Sequence, residues 1–440
     1  MKRFQNNIKL YIGLAVLSVA ASCAPEIDNS KPNGNASKPD FTKYIAIGNS
    51  LTAGFADGGL YLEGQQQAFP VLIAEKMKAH GGGEFKSPFF TESQSNGSGY
   101  IRLKDIVNGQ PVTESVTDKL AIRGASPTGG YLYTKYTEEI NNLGVPGMRL
   151  DMVNMNGLGT TQGNPYFERL LPDNSLMSYA EYATSKNHTF FSFSLGNNDA
   201  LGYATNGGVA KPDGSSTLTD IVTFGNNLTN FINDLTTNDQ KGVIATIPDV
   251  SAVPFLTTVT RQALLQAATA ASQAQGGPAV EAIFIETKAG TRPATDNDLF
   301  VLPFASSGLL GTPNAQQIPY GLHPLNPIES KYVLDEAEVT EVKTRIAQYN
   351  EKILEVAKNN NLAVADIHAF LNKVKNGYAY NGVVISNKYI TGNVFSLDGI
   401  HLTPMGYAIM ANIFIEAINA KYGSQLGKVD AMKYRGVKMP

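Results

Sequence analysis

The chain has 440 residues, 42% hydrophobic and 17% charged, an ordinary globular balance with ample material for a core. A formal net charge of -3 excludes a nucleic-acid partner held on a broad basic face. A single cysteine, Cys23, excludes internal disulfides and four-cysteine metal sites.

Residues 1–22 read as a signal peptide rather than part of the fold. Lys2, Arg3 and Lys9 form a positive start, and 12–19 is an apolar stretch too short to span a bilayer. The small residues Ala20, Ala21 and Ser22 precede Cys23, a pattern that looks like a bacterial lipoprotein signal with the cysteine as lipid-attachment site. This places the protein in the bacterial cell envelope, lipid-anchored at the periplasmic face or the cell surface. Residues 23–40 follow as a tether, polar and rich in Pro, Gly, Asn and Ser.

The folded part is expected over 41–425, with 426–440 as a C-terminal tail. Residues 44–47 are a short apolar run ending at Gly48, the signature of a buried parallel strand. A helix is predicted over 69–79, with Pro70 in its first turn. Residues 81–136 are rich in Gly, Ser, Thr and Pro and read as an insertion of loops and short strands. Further strands are predicted at 189–195, 242–247 and 362–367, and helices at 218–235 and 336–357. Residues 200–332 are expected to hold a second large insertion: a packed accessory subdomain, or a wall or lid over an acyl pocket. Thr403 and Pro404 open a last helix with an apolar stripe at Ala411, Phe414, Ile415 and Ile418. Alternating strands and helices predict a parallel sheet covered on both faces, with ligands beyond the strand C-termini.

Three segments carry chemistry: Gly48-Asn49-Ser50-Leu51, Gly196-Asn197-Asn198-Asp199 and Asp398-Gly399-Ile400-His401. A serine hydroxyl needs a base to take its proton, and an Asp/His pair supplies one. No Gly-x-Ser-x-Gly elbow, His-Glu-x-x-His pair or phosphate loop occurs. His80, His188, His323 and His368 read as structural or solvent residues. No cofactor or metal is expected.

These segments, with Asn142-Leu143-Gly144-Val145-Pro146-Gly147, resemble the blocks of the SGNH hydrolases, the GDSL esterase/lipase family. The resemblance runs from about residue 44 to the final helix. It implies a three-layer α/β/α fold with a mostly parallel, flavodoxin-like sheet. It also implies a serine esterase or lipase in which Ser50, Asp398 and His401 are catalytic. The oxyanion donors would be the Ser50 and Gly147 backbone N–H groups and the Asn198 amide. Asn49 departs from the family's aspartate, which removes a negative charge beside the serine. The expected substrate is a lipid or other carboxylic ester. A carbohydrate O-acetyl esterase and a non-catalytic surface-binding lipoprotein on the same fold are the alternatives.

Overall fold

The computed structural model describes residue 27, residues 38–107 and residues 110–440. The signal peptide, Cys23 and nearly all of the tether lie outside the described residues. Among the described residues, no helix is long and apolar enough to cross a membrane.

Five short strands form one parallel sheet: β1 (Tyr44–Gly48), β2 (Asn142–Gly144), β3 (Phe190–Ser194), β4 (Lys241–Ala245) and β5 (Ala363–Ala365). Their spatial order is β5-β4-β3-β1-β2. The strands are nearly all buried, as a sheet covered on both faces requires. Side chains alternate between two cores with the strand period of two. Ile45, Ile47, Phe191, Phe193 and Ile244 face one core, while Tyr44, Ala46, Phe190, Val243 and Ala245 face the other.

Helices α3 (Tyr179–Thr184), α5 (Ile221–Leu235) and α6 (Glu336–Asn359) cover the first face. Helix α6 starts on a capping box between Asp335 and Glu338. Helices α2 (Phe69–Lys78) and α8 (Pro404–Tyr422) cover the second. The small residues Ala46, Ala245, Ala363 and Ala365 leave room for α8 to lie close against the sheet. The sequence predicts one apolar stripe on α8, but the helix is buried on nearly all sides. The cause is the segment after it, where Leu426, Val429 and Ala431 are buried and Val429 exchanges hydrogen bonds with the Asn412 side chain. The expected tail therefore packs as an outer cover.

The region 81–136 forms two antiparallel hairpins, Tyr100–Val107 with Gln110–Val116 and Ile122–Ala125 with Tyr131–Tyr133. The excursion expected over 200–332 is smaller than its bounds suggest, because α5 and β4 belong to the main sheet and its cover. Only the stretch between the helix Pro254–Thr257 and the strand Val333–Leu334 leaves the sheet. It packs Ile283, Ile285, Phe300, Phe304 and Ile328 onto the α6 side of the core.

Candidate active site

Strand register brings the site together. Gly48 of β1 is paired with Gly144 of β2 and with Ser194 of β3, so the three strands end level. Ser50, Gly147 and Asn198 each follow within a few residues, on the C-terminal side of the sheet. This is where open parallel sheets leave a crevice.

Ser50 opens α1 (Ser50–Ala53), a single turn closed by Gly54 at φ +85°. Asn49 caps it, its side-chain oxygen accepting the Leu51 N–H at 3.2 Å. Two glycines let this turn sit tightly on the strands. A Cβ at Gly48 would lie 1.9 Å from Thr52 Oγ1, and one at Gly144 would lie 2.4 Å from the Ala53 nitrogen. Tyr179 of α3 stitches the strand ends, accepting the Gly48 N–H at 3.0 Å and lying 2.8 Å from the Leu143 carbonyl.

His401 Nε2 is 2.9 Å from Ser50 Oγ, and its Nδ1 is 2.8 Å from Asp398 Oδ2. The loop's hydrogen bonds explain the three-residue spacing. Asp398 Oδ1 accepts the Ile400 and His401 N–H groups at 2.9 and 2.8 Å, as a helix cap does. The loop is thereby bent so that Oδ2 of the same carboxylate meets the ring. The network requires Nδ1 to carry the proton and Nε2 to accept from Ser50. Phe55 packs its ring 4.6 Å from the imidazole. Burial works against the charged form of Asp398. The His401 ring and the two backbone N–H groups outweigh it and hold the carboxyl well below its ordinary range. A hydroxyl so placed can give up its proton while its oxygen attacks a carbonyl.

Gly147 follows Pro146 at φ +81°, a conformation glycine adopts without a Cβ penalty. Asn164 holds this turn by donating to the Pro146 carbonyl at 2.8 Å. Among the described residues, neither the Ser50 nor the Gly147 backbone N–H has an acceptor in the chain. Asn198 begins α4 (Asn198–Thr205), and one N–H of its amide goes to the Met148 carbonyl at 3.0 Å. Its second amide hydrogen has no partner in the described chain.

Asn49 is fully buried and donates to Asn197 Oδ1 at 2.5 Å. The departure from aspartate is thus matched by a neutral acceptor across the site. An Asn49–Asn197 amide pair needs no charge.

Two features escape sequence reasoning. Asn197, rather than Asn198, faces an apolar cavity of about 50 Å³ that reaches His401 and Leu51, the residue after the serine. Leu51, Leu201, Val250, Phe370 and Ile400 line it with His401. Of the insertion expected over 200–332 as a wall or lid, Leu201, Pro248, Val250 and Val253 line this cavity, while the stretch between Thr257 and Val333 lines none of it. The helix Pro254–Thr257 buttresses the Asp398–His401 loop from outside, the Phe255 N–H donating to the Gly399 carbonyl at 2.9 Å. The second feature is Arg149, 2% exposed. It pairs with Asp151 at 2.6 and 2.9 Å and reaches the Asn198, Ser215 and Thr217 carbonyls at 3.1–3.3 Å. A buried arginine that gathers loop carbonyls has no sequence pattern.

Asp199 beside it accepts the Leu150 N–H at 2.9 Å and the Thr219 hydroxyl at 2.7 Å. Burial nevertheless pushes its carboxyl up to about 6. A raised carboxyl pKa contributes stability that is present below the unfolded value and lost as pH rises through the folded one. Relative to Asp199→Asn, the wild type should lose up to about 3 kcal/mol between about pH 4 and pH 7. Urea midpoints of both proteins at the two pH values check this, and an unchanged difference would overturn it.

The remaining histidines lie elsewhere. His188 is buried between the Lys186 and Leu235 carbonyls, and His368 Nδ1 meets the Ile247 carbonyl. His80 and His323 are exposed. Among the described residues, no group of three or more His, Cys, Asp or Glu side chains could hold a metal.

Residues 44–414 match the family model described as GDSL-like Lipase/Acylhydrolase. No curated protein sequence matches the chain. Similar solved structures include a mutant of Axe2, an acetyl-xylooligosaccharide esterase from Geobacillus. It is 11% identical with a TM-score of 0.38, covering 90% of this chain and 100% of that one. An extracellular lipase from Streptomyces rimosus is 10% identical with a TM-score of 0.34, covering 86% of this chain and 99% of its own. The chain belongs to the GDSL-like lipase/acylhydrolase family and is a serine ester hydrolase, acting on carboxylic esters.

Proposed function

We propose that this esterase cleaves carboxylic esters with an apolar acyl group at the bacterial cell envelope, through an acyl-serine intermediate. Ser50 Oγ attacks the ester carbonyl while His401 Nε2 takes its proton, and Asp398 steadies the imidazolium. The Ser50 and Gly147 N–H groups and the free Asn198 amide hydrogen hold the oxyanion. The intermediate collapses, the C–O bond to the alcohol breaks, and His401 returns the proton to the leaving oxygen. A water deprotonated by the same ring then releases the acid and frees the serine. The catalytic domain is taken as one unit over 41–425.

The observation that carries this reading is the chain Asp398–His401–Ser50 at 2.8 and 2.9 Å beside an apolar cavity. The cavity's size bears on the substrate. At about 50 Å³ it holds the first carbons of an acyl chain, against the 150 Å³ or so that accommodates benzene in an engineered cavity. Longer chains need α7 (Ile367–Lys375), which carries Phe370 and Leu371, to move. The same small volume also suits an acetyl group, which favours the O-acetyl carbohydrate esterase as a second reading.

Turnover of p-nitrophenyl acetate, butyrate, octanoate and palmitate tests both. Butyrate should be the best or near-best substrate, with Asn198→Ala about 10²–10³-fold slower in kcat. Ser50→Ala should be inactive, and a fluorophosphonate should add mass at Ser50 alone. A profile confined to acetate, with acetate released from acetylated xylan, selects the second reading. No turnover and no adduct would instead favour a binding lipoprotein.

The envelope location rests on residues 1–23, with Cys23 as the acylated residue. Intact mass of the protein purified from membranes should show a diacylglyceryl group on an N-terminal Cys23. An unmodified N-terminus there, or cleavage at another residue, overturns the anchor. Two acyl chains suffice for stable attachment.

A further inference from the structure

Seven residues after the serine lies a buried carboxylate that the reaction as written does not use. Asp57 is 6% exposed. It sits with Gly58 at the corners of a two-residue turn, with φ of +53° and +77°. Ala56 and Gly59 exchange hydrogen bonds at 2.9 Å across that turn. An Asp-Gly pair with both φ positive is a favoured hairpin turn, which accounts for the backbone. It does not account for the side chain, because a turn aspartate has no need of burial.

The side chain points at the catalytic loop. Asp57 Oδ1 accepts the N–H of Leu397, the residue before Asp398, at 2.9 Å. Its Oδ2 accepts the Tyr61 hydroxyl at 2.8 Å. The Asp57 N–H donates to Ser396 Oγ at 2.9 Å, and that hydroxyl lies 3.2 Å from Asp398 Oδ1. The neighbouring Gly58 N–H donates to Asp398 Oδ2 at 2.9 Å, the same oxygen that faces His401. One turn therefore holds residues 396, 397 and 398 at once. That turn begins three residues beyond the serine's own helix. Burial pushes the Asp57 carboxyl up, against the Leu397 N–H and Tyr61 hydroxyl, with Asp398 adding to the rise and Arg435 opposing it. A group held against such a burden serves a fixed geometry.

We propose that Asp57 is a positioning residue for ester hydrolysis: its carboxylate locks the Leu397–Asp398 backbone to the loop that follows Ser50, keeping the carboxylate and imidazole in register with the hydroxyl. The inference rests on the reading of Asp398 and His401 given above. It acts through hydrogen bonds rather than charge. An asparagine can accept from Leu397 with Oδ1 and donate to the Tyr61 oxygen, whose hydroxyl hydrogen is free to turn. Removing the side chain orphans two buried donors and loosens the loop. Misplacement of reacting groups by about 1 Å costs on the order of 10²-fold.

The test compares Asp57→Gly, Asp57→Asn, Asp398→Asn and the double variant Asp57→Gly/Asp398→Asn on p-nitrophenyl butyrate. Glycine tolerates the turn's positive φ, so the backbone keeps its conformation. The full chain is used, and thermal unfolding shows that each variant is folded. Asp57→Gly should lose about 10- to 100-fold in kcat with KM within about twofold, and Asp57→Asn should recover most of that. In the Asp398→Asn background the Asp57→Gly loss should shrink to less than about threefold, since the residue acts through Asp398. Equal losses in both backgrounds would show a merely structural role and overturn the inference. So would Asp57→Asn falling as far as Asp57→Gly. If Asp398→Asn itself is fully active, the reading of the site fails instead. Should Asp57→Gly not fold, Ser396→Ala in both backgrounds makes the same comparison on the second link.

Discussion

His401→Ala should lower kcat on p-nitrophenyl butyrate by about 10⁶-fold, the scale seen when the base of a serine triad is removed. Among the described residues, Ser50 Oγ has one basic partner, the ring nitrogen at 2.9 Å. Without it the hydroxyl keeps its proton at neutral pH and is a weak nucleophile. The residual rate should still exceed that in buffer, because the oxyanion donors proposed at Ser50, Gly147 and Asn198 do not depend on the ring. Ser50→Ala and the double variant should therefore fall to nearly the same floor as His401→Ala, since the residues act as a unit. Stopped-assay turnover with freshly purified protein measures all three. A double variant much slower than either single variant would show that the two residues act independently. It would break the proposed triad.

Asp398→Asn should cost about 10⁴-fold in kcat while leaving the protein folded. The amide keeps the shape of the carboxylate, and its oxygen can still accept the Ile400 and His401 N–H groups that bend the loop. Its NH₂ then faces the ring nitrogen that Asp398 Oδ2 meets at 2.8 Å. The ring answers by moving its proton to Nε2, the tautomer that cannot accept from Ser50. The Gly58 N–H is also left pointing at an amide nitrogen. KM should stay within a few-fold, because the ground-state ester does not touch Asp398. A loss smaller than tenfold would mean that the imidazole is oriented by other contacts, such as Phe55.

The parts of the fold that could be read from the chain are those governed by local rules. The apolar runs at β1, β3 and β4 mark buried strands because parallel strands lose their polar face. The spacing of apolar residues along α6 marks one buried face. Strand β2 is three residues long at a sheet edge and carries too little pattern to read. Helix α7 follows its strand after a single residue, Asp366, so the two merge into one apolar stretch. The second insertion is narrower than the sequence predicts because its first part belongs to the sheet, a matter of pairing and not of composition.

The same division runs through the site. The chain by itself determined the local turns: the cap at Asn49, the Asp398 carboxylate that bends its own loop, and the glycines that let backbone approach backbone. These involve neighbours in sequence, where spacing sets geometry. Only the tertiary structure decided that Ser50 meets His401 across 351 positions, that Asn197 answers Asn49, and that Asp57 reaches Leu397. Those contacts follow from the register of β1 against β2 and β3 and from the packing of α8 on the sheet. Register and packing are properties of many residues jointly burying apolar surface, and no short motif encodes them.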